Sequence, residues 1–467
     1  MLPFDSHSLG SGAVWRSPHD PNAWVINYSG KCRVSAVAAP SCSGQQIRFQ
    51  TTADPRGPWQ PQRDVPPFVP NTSLGYSRFR WDTINPYWDK HTQTLFGWWT
   101  AGLPTDGPGP CIPGQPYCRW LQKAGRSAMG FGSSSDGVHW VALPPAILTW
   151  PPSVNVTAAG FEIGGVAPLV TANGTRRWFA SVCMSHQELP AAIDGKVGCF
   201  TFAADLPGGP YTIVAQNAAI LGYRQSGHDP EYAYYHRFFH GPHGVLLTNY
   251  QVYDKAHWKR EHGVTVYMSA FKQLTLGPDD DVLRMMWWPD NERLKTPPGQ
   301  LVHETVWWID ADAGTIVEGR VKWGGSGGIC FPYSQDQNNS RPNNTGSFAA
   351  GYVKFNASHV FTGEATTADC GSGSTVVNDT LGVTTTAPEP SRALPLTTGA
   401  EIDFRLVFRR GMYDVYVEDA LILSYALAVG DKPYALKQEL RLVGSWARAS
   451  NVHSWGMSLA SSGVHQT

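Results

Sequence analysis

Three acidic segments recur along this chain: Ser-Arg-Phe-Arg-Trp-Asp82-Thr, Gly-Phe-Glu162-Ile-Gly-Gly and Gly-His-Asp229-Pro-Glu231-Tyr-Ala. Each opens a short apolar strand pattern that runs through a turn into a second strand. A carboxylate at the same place in successive β-units brings several acids toward one axis. Converging carboxylates suit cleavage of a glycosidic bond. One carboxyl is kept protonated to donate to the leaving oxygen, and another attacks the anomeric carbon or activates water.

The elements that must position these acids are strands. Gly12–Arg16 pairs with Ala23–Tyr28 in pattern, Ile84–Trp88 with Leu95–Thr100, Val166–Val170 with Trp178–Val182, and Tyr232–Tyr235 with Val245–Asn249. A second repeat runs beside them: Thr51 to Trp59, Ser133 to Trp140 and Phe202 to Tyr211 each hold an Asp-containing turn followed by an aromatic residue. Asp bonds nearby backbone N–H groups and Gly supplies positive φ, so these are hairpin turns. Units of about four strands, repeated with insertions, are the pattern of propeller blades. Four units are clear, and a fifth is expected around Val264–Met268. In a propeller the innermost strand of each blade lines the central channel, so acids at the starts of these strands gather at one mouth.

The texture changes after about residue 300. The polar stretch 334–347 reads as an exposed loop, and period-two alternation resumes at Glu401–Phe408 and Met412–Glu418, which suits a sheet with one buried face. Helical patterns are nearly absent. The fold class read from the sequence is therefore all-β: a five-bladed β-propeller over 1–300, the catalytic domain, followed by a C-terminal β-sandwich over 301–467.

Composition narrows the function. Charged residues make up 16 % of the 467 and net charge is −1, which argues against a nucleic-acid partner. No apolar run reaches the roughly 18–20 residues that span a bilayer. Eight cysteines fall in neighbouring pairs, 32 with 42, 111 with 118, 183 with 199 and 330 with 370, and read as local disulfides. Eight of the 16 Asn head Asn-x-Ser/Thr sequons: Asn27, Asn71, Asn155, Asn173, Asn338, Asn343, Asn356 and Asn378. Both features point to a secreted glycoprotein with N-linked glycans. The first residues, Met-Leu-Pro-Phe-Asp-Ser-His, carry no charged start and no apolar stretch, so a signal peptide is expected to be missing from this sequence.

The chain resembles the five-bladed propeller glycosidases, most closely glycoside hydrolase family 32 (invertases, inulinases, levanases), through scattered weak matches over most of its length. The family's Arg-Asp-Pro is similar to Arg80-Trp81-Asp82-Thr83, with an extra Trp and no Pro. Its Glu-Cys-Pro is similar to Phe161-Glu162-Ile163-Gly164, and its Asp-Phe-Tyr-Ala element to Asp229-Pro230-Glu231-Tyr232-Ala233. Met268–Gly277 resembles the link toward the sandwich, and Arg405–Asp419 a sandwich hairpin. The resemblance implies Glu162 as general acid/base and Asp82 as transition-state stabiliser. The family's nucleophile lies in Asn-Asp-Pro-Asn-Gly, and His19-Asp20-Pro21-Asn22 offers a likeness. By register that segment is a hairpin turn at the wrong end of its blade. The nucleophile position falls near residues 8–11, and Asp5, with His7 close by, is the nearest acid.

The expected catalytic set is Glu162, Asp82 and Asp5. Asp229, His228, Arg80, Trp81, His7 and Trp99 are expected to bind substrate, although core packing is the commoner role for Trp81, Trp98 and Trp99. No cofactor is expected. His228, His236, His240 and His243 straddle a strand and a turn, which does not suit one zinc sphere, and Asp279–Asp281 reads as a solvated turn. No nucleophile elbow supports Ser-His-Asp chemistry. The Asp turns resemble sialidase Asp boxes, but no Arg triad accompanies them. The sugar stays open among fructose, arabinofuranose and galactofuranose. Two rivals remain beside the enzyme: a non-catalytic carbohydrate-binding propeller derived from one, and an adhesion module whose rim binds protein.

Overall fold

The computed structural model describes residues 9–31, 45–104, 125–150, 161–184, 196–213, 219–224, 232–241, 244–253, 265–277, 283–302, 306–310, 313–332, 350–356, 359–365, 387–388, 397–409, 412–426, 437–444, 446 and 449–457. Most of them are strand. Helix among them amounts to 3₁₀ turns such as Thr72–Leu74 and Pro289–Leu294. No helix among the described residues is long and apolar enough to cross a membrane. The chain gathers into two compact units. The first is Met1–Val214 with Ala233–Val245 and Pro278–Asp281; the second is Ala215–Tyr232, Leu246–Gly277 and Val282–Thr467.

The first unit is built from antiparallel meanders. Strands β1 (Leu9–Arg16), β2 (Trp24–Lys31), β3 (Gln45–Thr52) and β4 (Gln60–Pro61) form one four-stranded sheet in chain order. A second four-stranded sheet is β5 (Trp81–Asp89), β6 (Thr94–Leu103), β7 (Arg126–Ser134) and β8 (Trp140–Ala146). After the short β9 (Leu148–Thr149), the strands β10 (Phe161–Val170), β11 (Arg176–Met184), β12 (Lys196–Ala204) and β13 (Tyr211–Ile213) make the third meander, with β9 parallel to β13. All three Asp-turn repeats fall between the third and fourth strands of a meander. Asp54 Oδ1 accepts from Arg56 N at 2.9 Å, and Asp136 Oδ1 accepts from Val138 N at 2.9 Å and His139 N at 2.8 Å. Gly137, at φ 89°, takes the left-handed corner that lets Trp140 Nε1 donate back to its carbonyl.

Strand alternation distributes the aromatic residues. Trp98 and Trp99 are neighbours in β6, so their side chains leave opposite faces of the sheet. Trp99 enters one core with Phe49, Phe68, Tyr76, Trp81 and Trp140, while Trp98 enters another with Phe131, Phe161, Trp178, Phe202 and Tyr211. Removing one such buried ring costs about 3–5 kcal/mol. Gly130 is required beside Trp99, because an added Cβ would lie 2.1 Å from the indole nitrogen. Cys183 faces Cys199 across β11 and β12, and the two form a disulfide.

Neighbouring meanders are also joined by side-chain amides. Asn27, wholly buried in β2, donates to Ile84 O at 2.8 Å and accepts from Ile84 N at 3.1 Å. Its sequon is therefore part of the interior and offers no acceptor for a glycan in the folded chain. Asn71 and Asn173 are exposed, and each Oδ1 accepts from the backbone N–H two residues on.

In the second unit a six-stranded sheet takes the order Val306–Asp310, Lys437–Gly444, Ser326–Pro332, Ala350–Asn356, His359–Ala365 and Ala387–Pro388. Another run joins Ala420–Ala426, Met412–Val417, Glu401–Arg409, Thr315–Lys322, Ser450–Met457 and Lys295–Val302. Glu401–Arg409 alternates as expected: Ile402, Phe404 and Leu406 are buried, and Phe404 stacks on Trp446 at 4.4 Å. Lys272 and Asp414 form a buried ion pair at 2.7 Å. The polar stretch 334–347 lies outside the described residues.

Candidate active site

Asp82 and Glu162 each stand second in the first strand of a meander, opposite Thr100 and Cys183 respectively. Just beyond each acid the register slips by one residue, between Asp82 and Asn85 in β5 and between Ile163 and Gly165 in β10. Such bulges bend a strand and re-aim its side chains, and they gather beside functional sites. Thr83 sits in the bulge at φ 38°, a conformation a β-branched residue holds at a cost of about 1–3 kcal/mol. Its hydroxyl donates to Asp82 Oδ1 at 3.0 Å.

Strand β1 carries the same slip, between Leu9 and Gly12. Its last paired residue before the slip is Leu9, the place that Asp82 takes in β5. By backbone register, Leu9 and not an acid holds in β1 the position that Asp82 holds in β5. Asp5 and His7, four and two residues earlier, lie outside the described residues, as do His228 and Asp229. The His19–Asn22 segment is the β1–β2 turn, as its register required. Asn22 N donates to Asp20 Oδ1 at 2.9 Å and Ala23 N donates to Asp20 O at 3.0 Å.

The backbone around Glu162 is held by side chains from other strands. Phe161 N donates to Ser127 Oγ at 3.1 Å, and Phe161 O accepts from Arg80 Nη2 at 2.7 Å. Ile163 N donates to Thr100 Oγ1 at 3.0 Å, and Ile163 O accepts from Asn85 Nδ2 and Arg237 Nη1, both at 3.2 Å. All five of these side chains are buried. Both residues flanking Glu162 thus have both backbone polar groups engaged, which fixes the strand that aims the carboxyl. Arg237 Nη2 also lies 3.9 Å from Glu162 Oε2, an ion pair too long for a hydrogen bond. The Glu162 side chain keeps 21 % of its surface open. The Glu162 carboxyl is thus partly open on a clamped strand, and Asp82 holds the same second place in the first strand of the preceding meander.

Several expected substrate contacts are corrected by burial. Trp81 and Trp99 are 0 % exposed and pack edge-on at 4.8 Å, with Tyr76 at 4.8 Å from Trp81 and Phe68 at 5.1 Å from Trp99. Neither indole has a face open to a sugar ring, so both are core residues. Arg80, also buried, holds the Phe161 carbonyl and acts on the site through β10. Ser127, Thr100, Asn85 and Arg237 were not singled out by the sequence. Their one signal was a polar residue inside an otherwise apolar strand.

No family model matches the sequence, and no curated protein matches it. Solved structures do. The sucrose-6-phosphate hydrolase from Lactobacillus gasseri aligns over 95 % of this chain and 77 % of its own, with a TM-score of 0.56 at 10 % identity. An aspartate-to-alanine variant of the Bombyx mori GH32 β-fructofuranosidase in complex with sucrose aligns over 94 % and 77 %, with a TM-score of 0.55 at 10 % identity. A glutamate-to-glutamine variant of fructan 1-exohydrolase IIa from Cichorium intybus in complex with 1-kestose aligns over 94 % and 82 %, with a TM-score of 0.52 at 12 % identity. The fold is that of glycoside hydrolase family 32: a five-bladed β-propeller followed by a β-sandwich.

Proposed function

We propose that the protein is a secreted glycoside hydrolase acting on furanoside-containing glycans, with β-fructofuranosides such as sucrose and fructans first among them. The observation that carries this reading is the clamp on Glu162, with Asp82 at the matching place of the neighbouring first strand. The fold it shares with sucrose- and fructan-cleaving enzymes supports the choice of sugar. The catalytic domain is assigned to residues 1–300 and the sandwich to 301–467.

In this mechanism Glu162 gives its proton to the glycosidic oxygen as the bond to the anomeric carbon breaks. Asp82 accepts hydrogen bonds from sugar hydroxyls and stabilises the positive charge that builds on the ring. Asp5 bonds to the anomeric carbon, or takes a proton from the attacking water if no covalent intermediate forms. Asp229, His228 and His7 complete the sugar subsite. The paired Cys183 and Cys199 and the exposed Asn71 and Asn173 sequons support an extracellular setting.

Glu162→Gln on sucrose and inulin tests the acid. A loss of about 10²–10⁴-fold in kcat is expected, largest for poor leaving groups and small for an activated furanoside. Undiminished turnover overturns the assignment. Leu9 in the place of an acid favours one rival, a sugar-binding propeller without turnover. Tight sucrose or fructan binding by a wild-type chain that hydrolyses neither would select it.

A further inference from the structure

The sandwich unit carries a cavity of about 400 Å³ on the exposed face of Thr315–Lys322, Glu401–Arg409 and Ser450–Met457. Its wall is made of Glu318, Arg320, Asp403, Arg405, His453 and Trp455. These are the outward members of an alternating pattern, since Val317, Val321, Ile402, Phe404 and Leu406 point inward and are buried. Register places Glu318 opposite Arg405 on one side and His453 on the other, with Arg320 opposite Asp403.

The charges are cross-linked into fixed pairs. Arg320 Nε donates to Asp403 at 2.8 Å, Arg405 Nε to Glu318 and Nη1 to Asp419, each at 2.5 Å, and Lys295 Nζ to Glu318 at 2.7 Å. Arg405 also lies over the Trp287 ring at 4.2 Å, and Lys295 over Trp455 at 4.3 Å. His453 stacks beside Trp455 at 5.6 Å, and both remain partly exposed.

One corner of the cavity is built at a backbone cost. Val417 pairs with Ala420, so Glu418 and Asp419 form a two-residue turn with φ of 49° and 61°. Asn-Gly or Gly-Gly would hold that turn with less strain. The two acids are used instead: Asp419 grips Arg405, and Glu418 Oε1 accepts from Asp403 N at 2.8 Å. Their side chains, rather than the turn itself, explain the choice of residues.

We propose that this face is a second carbohydrate site, which holds a neutral polysaccharide chain. Fixed donors and acceptors side by side suit vicinal hydroxyls, each of which donates and accepts. The His453–Trp455 edge offers the apolar contact that a ring's C–H face requires. The lining holds four carboxylates against two guanidinium groups, which disfavours an anionic chain. The site works by binding alone, so it stands whether or not the propeller turns over its substrate.

The test is affinity electrophoresis of the full chain at 4 °C in gels containing inulin, levan or arabinan, with polygalacturonate as the anionic comparator. The variant is Arg320→Ala/His453→Ala. Arg320 and Asp403 are half exposed, so breaking their pair has little effect on folding. Retardation by at least one neutral polymer is expected, with apparent affinity falling about tenfold or more in the variant while kcat/KM on sucrose is unchanged. Equal retardation of both proteins, retardation by none of the neutral polymers, or stronger retardation by polygalacturonate overturns the proposal.

Discussion

At the turn ends of the blades, Asp54 and Asp136 give their oxygens to backbone N–H groups two or three residues away, and Asp136 also meets the His139 ring at 2.6 Å. At the strand starts, Thr83 donates its hydroxyl to Asp82 and Arg237 lies 3.9 Å from Glu162, while the residues flanking Glu162 are bonded through their backbone to side chains of other strands. Both ends carry acids in similar local sequence. An oxygen committed to its own turn stabilises that turn. An acid whose neighbours are clamped, and whose own carboxyl is partly open, is held in position for something else. Asp414 gives a third condition: a buried carboxylate paired with a buried lysine.

The largest effect is expected at that third acid. Lys272→Met leaves Asp414 buried with its cation removed, at a cost of about 3–5 kcal/mol of unfolding free energy in urea titrations. The double variant Lys272→Met/Asp414→Leu recovers most of it. If the single and double variants are equally unstable, the pair is not what sets the cost.

Next comes Asp82→Asn, which keeps the shape and removes the charge. A fall of about 10²–10³-fold in kcat on sucrose is expected, with the thermal midpoint unmoved. A lowered midpoint at full activity would put Asp82 with the turn acids.

Asp136→Asn should do the reverse, with less than about 1 kcal/mol lost after solvent screening and kcat/KM unchanged. Burial pushes the Asp136 carboxyl up, but bonds from the His139 and Val138 N–H groups, the His139 ring and Ser134 outweigh it and hold the carboxyl at about 2. A depressed acid stabilises the fold above its ordinary value near 4, and that contribution is lost as pH falls toward 2. The midpoint difference between wild type and variant should therefore be constant near neutrality and vanish by about pH 2. The smallest expected effect is one of occupancy. After expression through a glycosylating secretory route, peptide mass mapping should find glycan at Asn71 and Asn173 and none at Asn27.

The turns and strands were legible because their signals are local. Asp and Gly at fixed offsets specify the hairpins, and Trp24–Lys31, Thr94–Leu103 and Glu401–Arg409 extend the apolar patterns by only a few residues. The placement of Asp82 and Glu162 at strand starts was legible for the same reason. The clamp was not, because Arg80, Asn85, Thr100 and Ser127 meet β10 across 34 to 81 residues of chain. A polar residue in a strand ordinarily marks a solvated face, and nothing local separates Thr100 from that case. Trp81 and Trp99 were ambiguous in a different way: ring size suits both a sugar platform and a core, and only burial decides.

The amide of Asn27 also sets a problem of timing. It closes a rung with both backbone groups of Ile84, 57 residues further along the chain. During synthesis Asn27 emerges first, inside an intact sequon, and waits for its partner. In a compartment that transfers glycans to extended chains, folding and glycosylation would compete for the same nitrogen. A glycan attached there would keep Ile84 from docking and leave two blades apart. The order of assembly, more than the final contacts, then decides how much of the chain reaches the native state.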